Sequence, residues 1–222
     1  MNKDELKNKD VKSEDRKQGP VLRKSDLQAR NPNVLQIVLA GVIAALYVVL
    51  CLPFSVFSFG IVQFRIAEAL AILPVFTPAA VPGLFIGCLL SNILNPQNLG
   101  LIDIVGGSLT TLLAAYLTFY FAKTYRGIIR DEQQNKGRGT EEKIWKKRFM
   151  RFLVLLPPVV LNAVVVGTYL PYLLAAPGET VSGVVIIGAI ASIFLSQTII
   201  VYTLGILILL TLEKLRFPVH ED

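Results

Sequence analysis

The chain has 222 residues, 53% hydrophobic and 17% charged, with a formal net charge of +6, where an ordinary soluble domain carries about 25% charged residues. Two long stretches, 34–122 and 152–212, hold only four charged side chains between them: Arg65, Glu68, Asp103 and Glu179. Such stretches cannot form a water-facing surface, so a soluble enzyme and a nucleic-acid-binding protein are excluded, and the flanking positive charge reports membrane orientation instead.

Residues 1–33 are polar, charged and poor in aromatics, which predicts a disordered basic tail. They contain no apolar core of the kind a cleaved signal peptide needs. The first apolar span is expected from about Val34 to Leu52, stopped by Pro53. A short second span follows from about Ile61 to Phe76, with Pro74 and Pro78 at its end. The third runs from about Ala79 to Leu94 and ends in the polar turn Asn95-Pro96-Gln97-Asn98. The fourth runs from about Leu101 to Ala122, and a basic loop is expected over 123–151. The fifth covers about Phe152 to Leu173, with Pro157 and Pro158 in its first turns. A turn holding Pro177, Gly178 and Glu179 leads to the sixth, about Val181 to Leu212. A cytoplasmic tail, 213–222, closes the chain.

Three segments, 1–33, 123–151 and 213–222, carry nearly all the Lys and Arg residues. Short basic segments resist translocation and stay in the cytoplasm. The number of crossings between successive basic segments must then be even. A helical crossing needs about 20 apolar residues, so 34–122 fits four and 152–212 fits two. The expected fold is an all-α membrane protein with six transmembrane helices and both termini cytoplasmic.

On that topology the intramembrane polar groups collect toward the outer face. Gln63, Arg65 and Glu68 fall in the outer half of the second span, and Ser91, Asn92 and Asn95 at the outer end of the third. Asp103 and Ser108 fall in the outer half of the fourth, while Asn162 and Gln197 lie near mid-membrane on the fifth and sixth. An ionisable group at mid-membrane costs about 2.5–3.5 kcal/mol on insertion scales. Such groups therefore pair or line a wet cavity, and their placement on one side suggests a site open to the outside.

Plainer roles stand beside this one. Arg65 and Glu68 can pair as i,i+3 neighbours. Asn92 and Asn95 can cap a helix end, and Asp103 can cap or stabilise a helix start. Asn162 and Gln197 can bond between helices. Phe54, Phe57, Phe59, Tyr169 and Tyr172 can stack on a flat ligand or form an interfacial aromatic belt. The small residues Ala40 and Ala44, with Gly41 and Ala45 beside them, allow close helix approach, either inside the bundle or against another membrane protein.

Several chemistries are excluded. The only histidine is His220, so a Ser–His intramembrane hydrolase is impossible. No H-E-x-x-H zinc motif and no G-x-x-x-x-G-K-[ST] phosphate loop occurs in the sequence. Asp103 is the only aspartate in the apolar stretches, which excludes a two-aspartate protease. Transport driven by ATP would need its ATPase on another chain.

The run Gln63-Phe64-Arg65-Ile66-Ala67-Glu68-Ala69-Leu70, then Leu73-Pro74 and Phe76-Thr77-Pro78-Ala79-Ala80-Val81-Pro82-Gly83-Leu84, resembles the QueT family. Gly87-Cys88-Leu89-Leu90-Ser91-Asn92, Gly100-Leu101-Ile102-Asp103, Gly107-Ser108-Leu109, Asn162-Ala163 and Val166-Gly167 continue the resemblance. It covers most of 36–212 and is densest over 60–118. It implies a substrate-binding S-component of an energy-coupling factor transporter, in the cell membrane, for queuosine precursors, which are 7-deazaguanines. It implies partners too: a transmembrane coupling protein and two ATPase subunits, which use the ATP, this chain binding no cofactor itself. An Ala-x-x-x-Ala patch, here Ala40 and Ala44, would meet the coupling protein. The expected ligand contacts are Gln63, Arg65, Glu68, Asn92, Asp103, Asn162 and Gln197. Family members often carry Glu near Tyr169 and Gln197, so Glu68 and Asp103 are the carboxylates left for a cationic precursor, and a neutral one also fits. A different vitamin-like heterocycle, or a non-transport assembly role, stays open on the residues alone.

Overall fold

A computed structural model describes residues 32–53, 65–96, 99–135 and 141–218. The chain divides into a unit of residues 1–35 and a unit from Gln36 onward. The described residues are helical and contain no strand. The helices are α1 (Pro32–Cys51), a 3₁₀ helix (Ile66–Val75), α2 (Ala80–Leu94), α3 (Leu101–Asn135), α4 (Glu141–Val154), α5 (Leu156–Leu161), α6 (Gly167–Leu174), α7 (Gly183–Ile200) and α8 (Ile206–Lys214). A π turn, Asn162–Val166, joins α5 to α6, and a second, Val201–Gly205, joins α7 to α8.

Four helical stretches are long and apolar enough to cross a bilayer: Asn33–Cys51, Leu101–Glu132, Ile144–Leu174 and Gly183–Lys214. Ile66–Val75 and Ala80–Leu94 are apolar but shorter. Large apolar side chains face outward along the long helices, among them Ile37, Val42 and Val49 on α1, Leu109 and Leu113 on α3, and Ile187 and Leu195 on α7. An apolar exterior of this kind matches a lipid solvent.

The second expected span differs from an α-helix. Its described part is a ten-residue 3₁₀ helix, long for a type that seldom exceeds four residues. Pro74 lies inside it and cannot donate the i→i−4 bond. Ala67, Ala69 and Ala71 are small enough to be buried in its tighter turns. Its 2.0 Å rise carries the ten residues over about 20 Å, where an α-helix would cover about 15 Å. Arg65 stands just before the helix in extended backbone, so it is outside the eclipsed i,i+3 geometry of the 3₁₀ turns.

The expected basic loop 123–151 is also corrected. The helix α3 continues to Asn135, and α4 starts at Glu141. Ala122, Tyr125, Arg126 and Ile129 are buried at helical spacing, so an inward stripe continues beyond the apolar span. The charges of this segment measure exposure to water, not loss of helix.

The bundle closes through small residues. An atom added at Gly83 would lie 2.8 Å from the Ala40 carbonyl oxygen, and one at Gly87 would lie 2.6 Å from Tyr47 Cβ and 3.0 Å from the Ala44 carbonyl oxygen. So α1 and α2 cross nearly backbone to backbone. Ala40 and Ala44 are buried. In this chain α2 covers them, because its glycines let it approach that ridge, so the Ala-x-x-x-Ala pair packs inside the bundle. The outward small residues of α1 are Gly41 and Ala45.

Candidate functional site

Two polar chains meet inside the bundle, and both begin with a carboxylate that the sequence singled out. Glu68 is 2% exposed on the 3₁₀ helix. One of its oxygens accepts from Tyr47 Oη of α1 at 2.8 Å, and the other from Asn162 Nδ2 of the first π turn at 3.3 Å. Glu68 thus ties three separate segments together. Tyr47 belongs to the buried stripe of α1 with Ile43, Ala44 and Cys51. Its hydroxyl is the one strongly polar tip on that stripe, which was the available sequence signal for a residue the sequence reading left out of the site.

The second chain starts at Asp103, in the first turn of α3 and 1% exposed. Its Oδ1 accepts from Tyr169 Oη of α6 at 2.9 Å. Its backbone oxygen accepts from Asn92 Nδ2 of α2 at 3.5 Å, and the same amide lies 3.7 Å from Cys88 Sγ. A carbonyl acceptor on that side fixes the amide with nitrogen toward Asp103 and oxygen away from it. Gly107 lines the same point: an atom added there would lie 3.3 Å from Asn92 Nδ2, 3.4 Å from Tyr169 Oη and 3.9 Å from Asp103 Oδ1. Any side chain at 107 would crowd this cluster, a packing reason for glycine.

Arg65 joins the two chains. Its buried guanidinium interacts electrostatically with Asp103 and Tyr47, and Glu68 also feels its charge. The side-chain hydrogen bonds of Glu68 come from Tyr47 on α1 and Asn162 in the first π turn, and not from its i−3 neighbour Arg65. Asn95 ends α2 in extended backbone, while Asn92 is held inside by its bonds to α2 and α3. The Asp103 side chain reaches across to α6, so its role extends beyond the end of its own helix.

Three buried acceptor atoms have no hydrogen-bond partner among the described residues: Asp103 Oδ2, Asn92 Oδ1 and Gln197 Oε1. Ser91 Oγ is in the same condition. An unmatched buried polar atom costs about 1–3 kcal/mol, so such atoms are normally satisfied by protein or water. Thr118 Oγ1 is unmatched among the described residues as well, and a set that mixes carboxylate and amide acceptors with hydroxyls, which both donate and accept, suits a heterocycle that carries N–H donors beside acceptors.

Of the predicted contacts, Arg65, Glu68, Asn92, Asp103 and Asn162 are brought together by these interactions. Gln197 is buried on α7, where its backbone oxygen accepts from Val201 at the start of the second π turn. Gln63 and the aromatics Phe54, Phe57 and Phe59 lie outside the described residues. Tyr169 points inward to Asp103 instead of contributing to an outer belt, whereas Tyr172 is exposed.

Comparison with known proteins agrees with this architecture. The profile of the family described as QueT transporter matches residues 37–214. A curated relative, the queuosine precursor transporter QueT of Lactococcus lactis subsp. cremoris (strain MG1363), is 35% identical over 79 residues. That match takes in 35% of this chain and spans 45% of the relative's length. No solved structure matches. With a profile match across most of its length and an apolar helical bundle around a buried polar cluster, the chain belongs to the QueT transporter family.

Proposed function

We propose that this chain is the substrate-binding membrane subunit of an ATP-driven uptake transporter of the energy-coupling factor type, taking a queuosine precursor or related 7-deazaguanine. The observation that carries the reading is the set of buried, unmatched acceptors on Asp103, Asn92 and Gln197, inside a member of a transporter family. The relative's name, queuosine precursor transporter, supports the substrate class. A 7-deazaguanine offers ring N–H and amino donors to such acceptors and a flat face for aromatic contact.

The proposed topology has six crossings and both termini in the cytoplasm, with the basic segments 1–33, 123–151 and 213–222 on that side, as the positive-inside rule requires. The two shorter apolar helices supply the second and third crossings. From Asp103 to Tyr125, α3 rises about 33 Å at 1.5 Å per residue, close to a hydrocarbon core of about 30 Å. The site then faces the outer side.

ATP is hydrolysed by partner subunits, since the sequence holds no phosphate-binding loop. A transmembrane coupling protein links them to this chain. Its docking face is assigned to the outward small residues Gly41 and Ala45, where an atom added at Gly41 meets nothing within 4 Å. Mass spectrometry of small molecules retained by the purified chain tests the reading. Recovery of a 7-deazaguanine supports it, and uptake by this chain in vesicles lacking any ATPase partner overturns the coupled mechanism.

A further inference from the structure

We propose that the two buried carboxylates have separate jobs: Glu68 braces the bundle, while Asp103, oriented by Tyr169 and joined by Asn92, reads a nitrogen donor of the ligand. This assignment rests on the binding-subunit reading and adds to it a specificity-determining residue, a positioning residue and the chemistry that they recognise.

The two carboxylates differ in what is left over. Both oxygens of Glu68 are occupied, one by Tyr47 and one by Asn162. A ligand reaching Glu68 would have to displace a bond that holds separate segments together. Asp103 has one oxygen fixed by Tyr169, and its Oδ2 has no partner among the described residues although the residue is 1% exposed. Asn92 is equally buried, donates toward Asp103, and has Oδ1 unmatched. The half-finished coordination of Asp103 and Asn92 is what a bound donor would complete.

The charge count points the same way. The apolar stretches place one guanidinium, Arg65, against two carboxylates, Glu68 and Asp103, apart from Glu179, whose side chain accepts from the Ala176 backbone in an exposed turn. Residues 54–64 and 97–98 add no ionisable side chain. Two buried carboxylates beside one guanidinium favour a ligand that brings N–H donors. In a 7-deazaguanine the donor has two sources: an ammonium on a 7-aminomethyl arm, or the 2-amino and ring N–H edge. Tyr169 acts through Asp103, so it is a positioning residue.

The test measures dissociation constants of the full purified chain for three ligands. These are 7-aminomethyl-7-deazaguanine, its 7-cyano counterpart, which loses the ammonium, and its 2-deamino counterpart, which loses the ring amine. Wild-type protein is expected to lose about tenfold or more in affinity when the donor read by Asp103 is removed, the scale of a hydrogen bond to a charged group. Asp103→Asn is expected to abolish that discrimination. Coupling between the substitution and the 7-cyano change identifies the ammonium; coupling with the 2-deamino change identifies the ring edge. Asn92→Ala carries the same comparison if Asp103→Asn does not purify folded. Tyr169→Phe is expected to reduce the discrimination with little change in melting temperature. Glu68→Gln is expected to keep the discrimination and lower the melting temperature. If Asp103→Asn weakens all three ligands equally, or if Glu68→Gln alone removes the discrimination, the assignment is wrong while the binding-subunit reading stands. If the wild-type chain binds none of the three, the deazaguanine reading fails and this assignment goes with it.

Discussion

Two polar clusters sit toward opposite ends of α3, and they differ in how completely their atoms are matched. Near its C-terminal end, Tyr125 donates to Glu213, Arg151 donates to Tyr125 at 3.0 Å and to Glu213 at 3.3 Å, and Lys147 bridges Glu132 at 2.6 Å and Glu213 at 2.9 Å. That network ties α3, α4 and α8 together, and its Glu132 side chain is 46% exposed. At the start of α3, Asp103 and Asn92 are fully buried, yet each keeps an acceptor with no partner among the described residues. A closed network, here partly buried with the Lys147, Arg151 and Glu213 side chains 15%, 19% and 11% exposed, holds helices in place. A buried, open one costs stability until something fills it, which separates architecture from binding.

The comparison breaks most readily at Glu68, the buried carboxylate assigned to architecture. Glu68→Ala leaves the Tyr47 hydroxyl and the Asn162 amide without their buried acceptor, at about 1–3 kcal/mol for each group left unmatched. The expected outcome is a large fall in melting temperature of the purified chain. A loss no greater than that of Lys147→Ala would remove the distinction between the two clusters. Next in size, Gly87→Ala pushes a methyl group against Tyr47 and the Ala44 backbone, at about 1–3 kcal/mol for overpacking. Because Tyr47 holds Glu68, ligand affinity should fall along with the melting temperature; an unchanged melting temperature would contradict the close crossing of α1 and α2.

Lys147→Ala probes the closed cluster. It should cost about 0.2–1 kcal/mol, and added salt should shrink the difference from wild type. A salt-independent loss of several kcal/mol would place that cluster with the buried one. The smallest expected effect on stability belongs to Ala45→Trp, on the outward face of α1, at about 0.5 kcal/mol or less. Ligand binding should stay intact while co-purification with the proposed coupling protein and ATPase subunits is lost. Normal co-purification would move the docking face elsewhere.

Much of the site was visible as residue types before any fold was known. Buried charge in an apolar stretch demands compensation, so Arg65, Glu68 and Asp103 could be singled out individually, Asn162 and Gln197 by their depth, and Asn92 by its place among the outer polar groups. Their grouping was not visible. Glu68 meets Tyr47 and Asn162 from distant parts of the chain, and Asp103 meets Tyr169 from another helix; no spacing encodes those meetings. Tyr169 resembled a belt residue because the sequence gives its depth but not the face it turns. Ala40 and Ala44 read as a docking patch because a small-xxx-small ridge is the same pattern whether it packs inward or outward.

The sequence by itself determined the solvent. Apolar length and the scarcity of charge require lipid around helices, since free backbone groups cannot be satisfied there otherwise. It also determined where the basic segments lie, although not that 123–135 stays helical, because charge reports on water and not on backbone. The tertiary structure decided which small residues are covered, through the missing side chains of Gly83 and Gly87. It decided that the proline-bearing second segment packs as a 3₁₀ helix. It also decided which carboxylate is closed and which open, because hydrogen bonds are directional and short, and only packed helices bring a hydroxyl within reach of one oxygen while leaving the other unmatched.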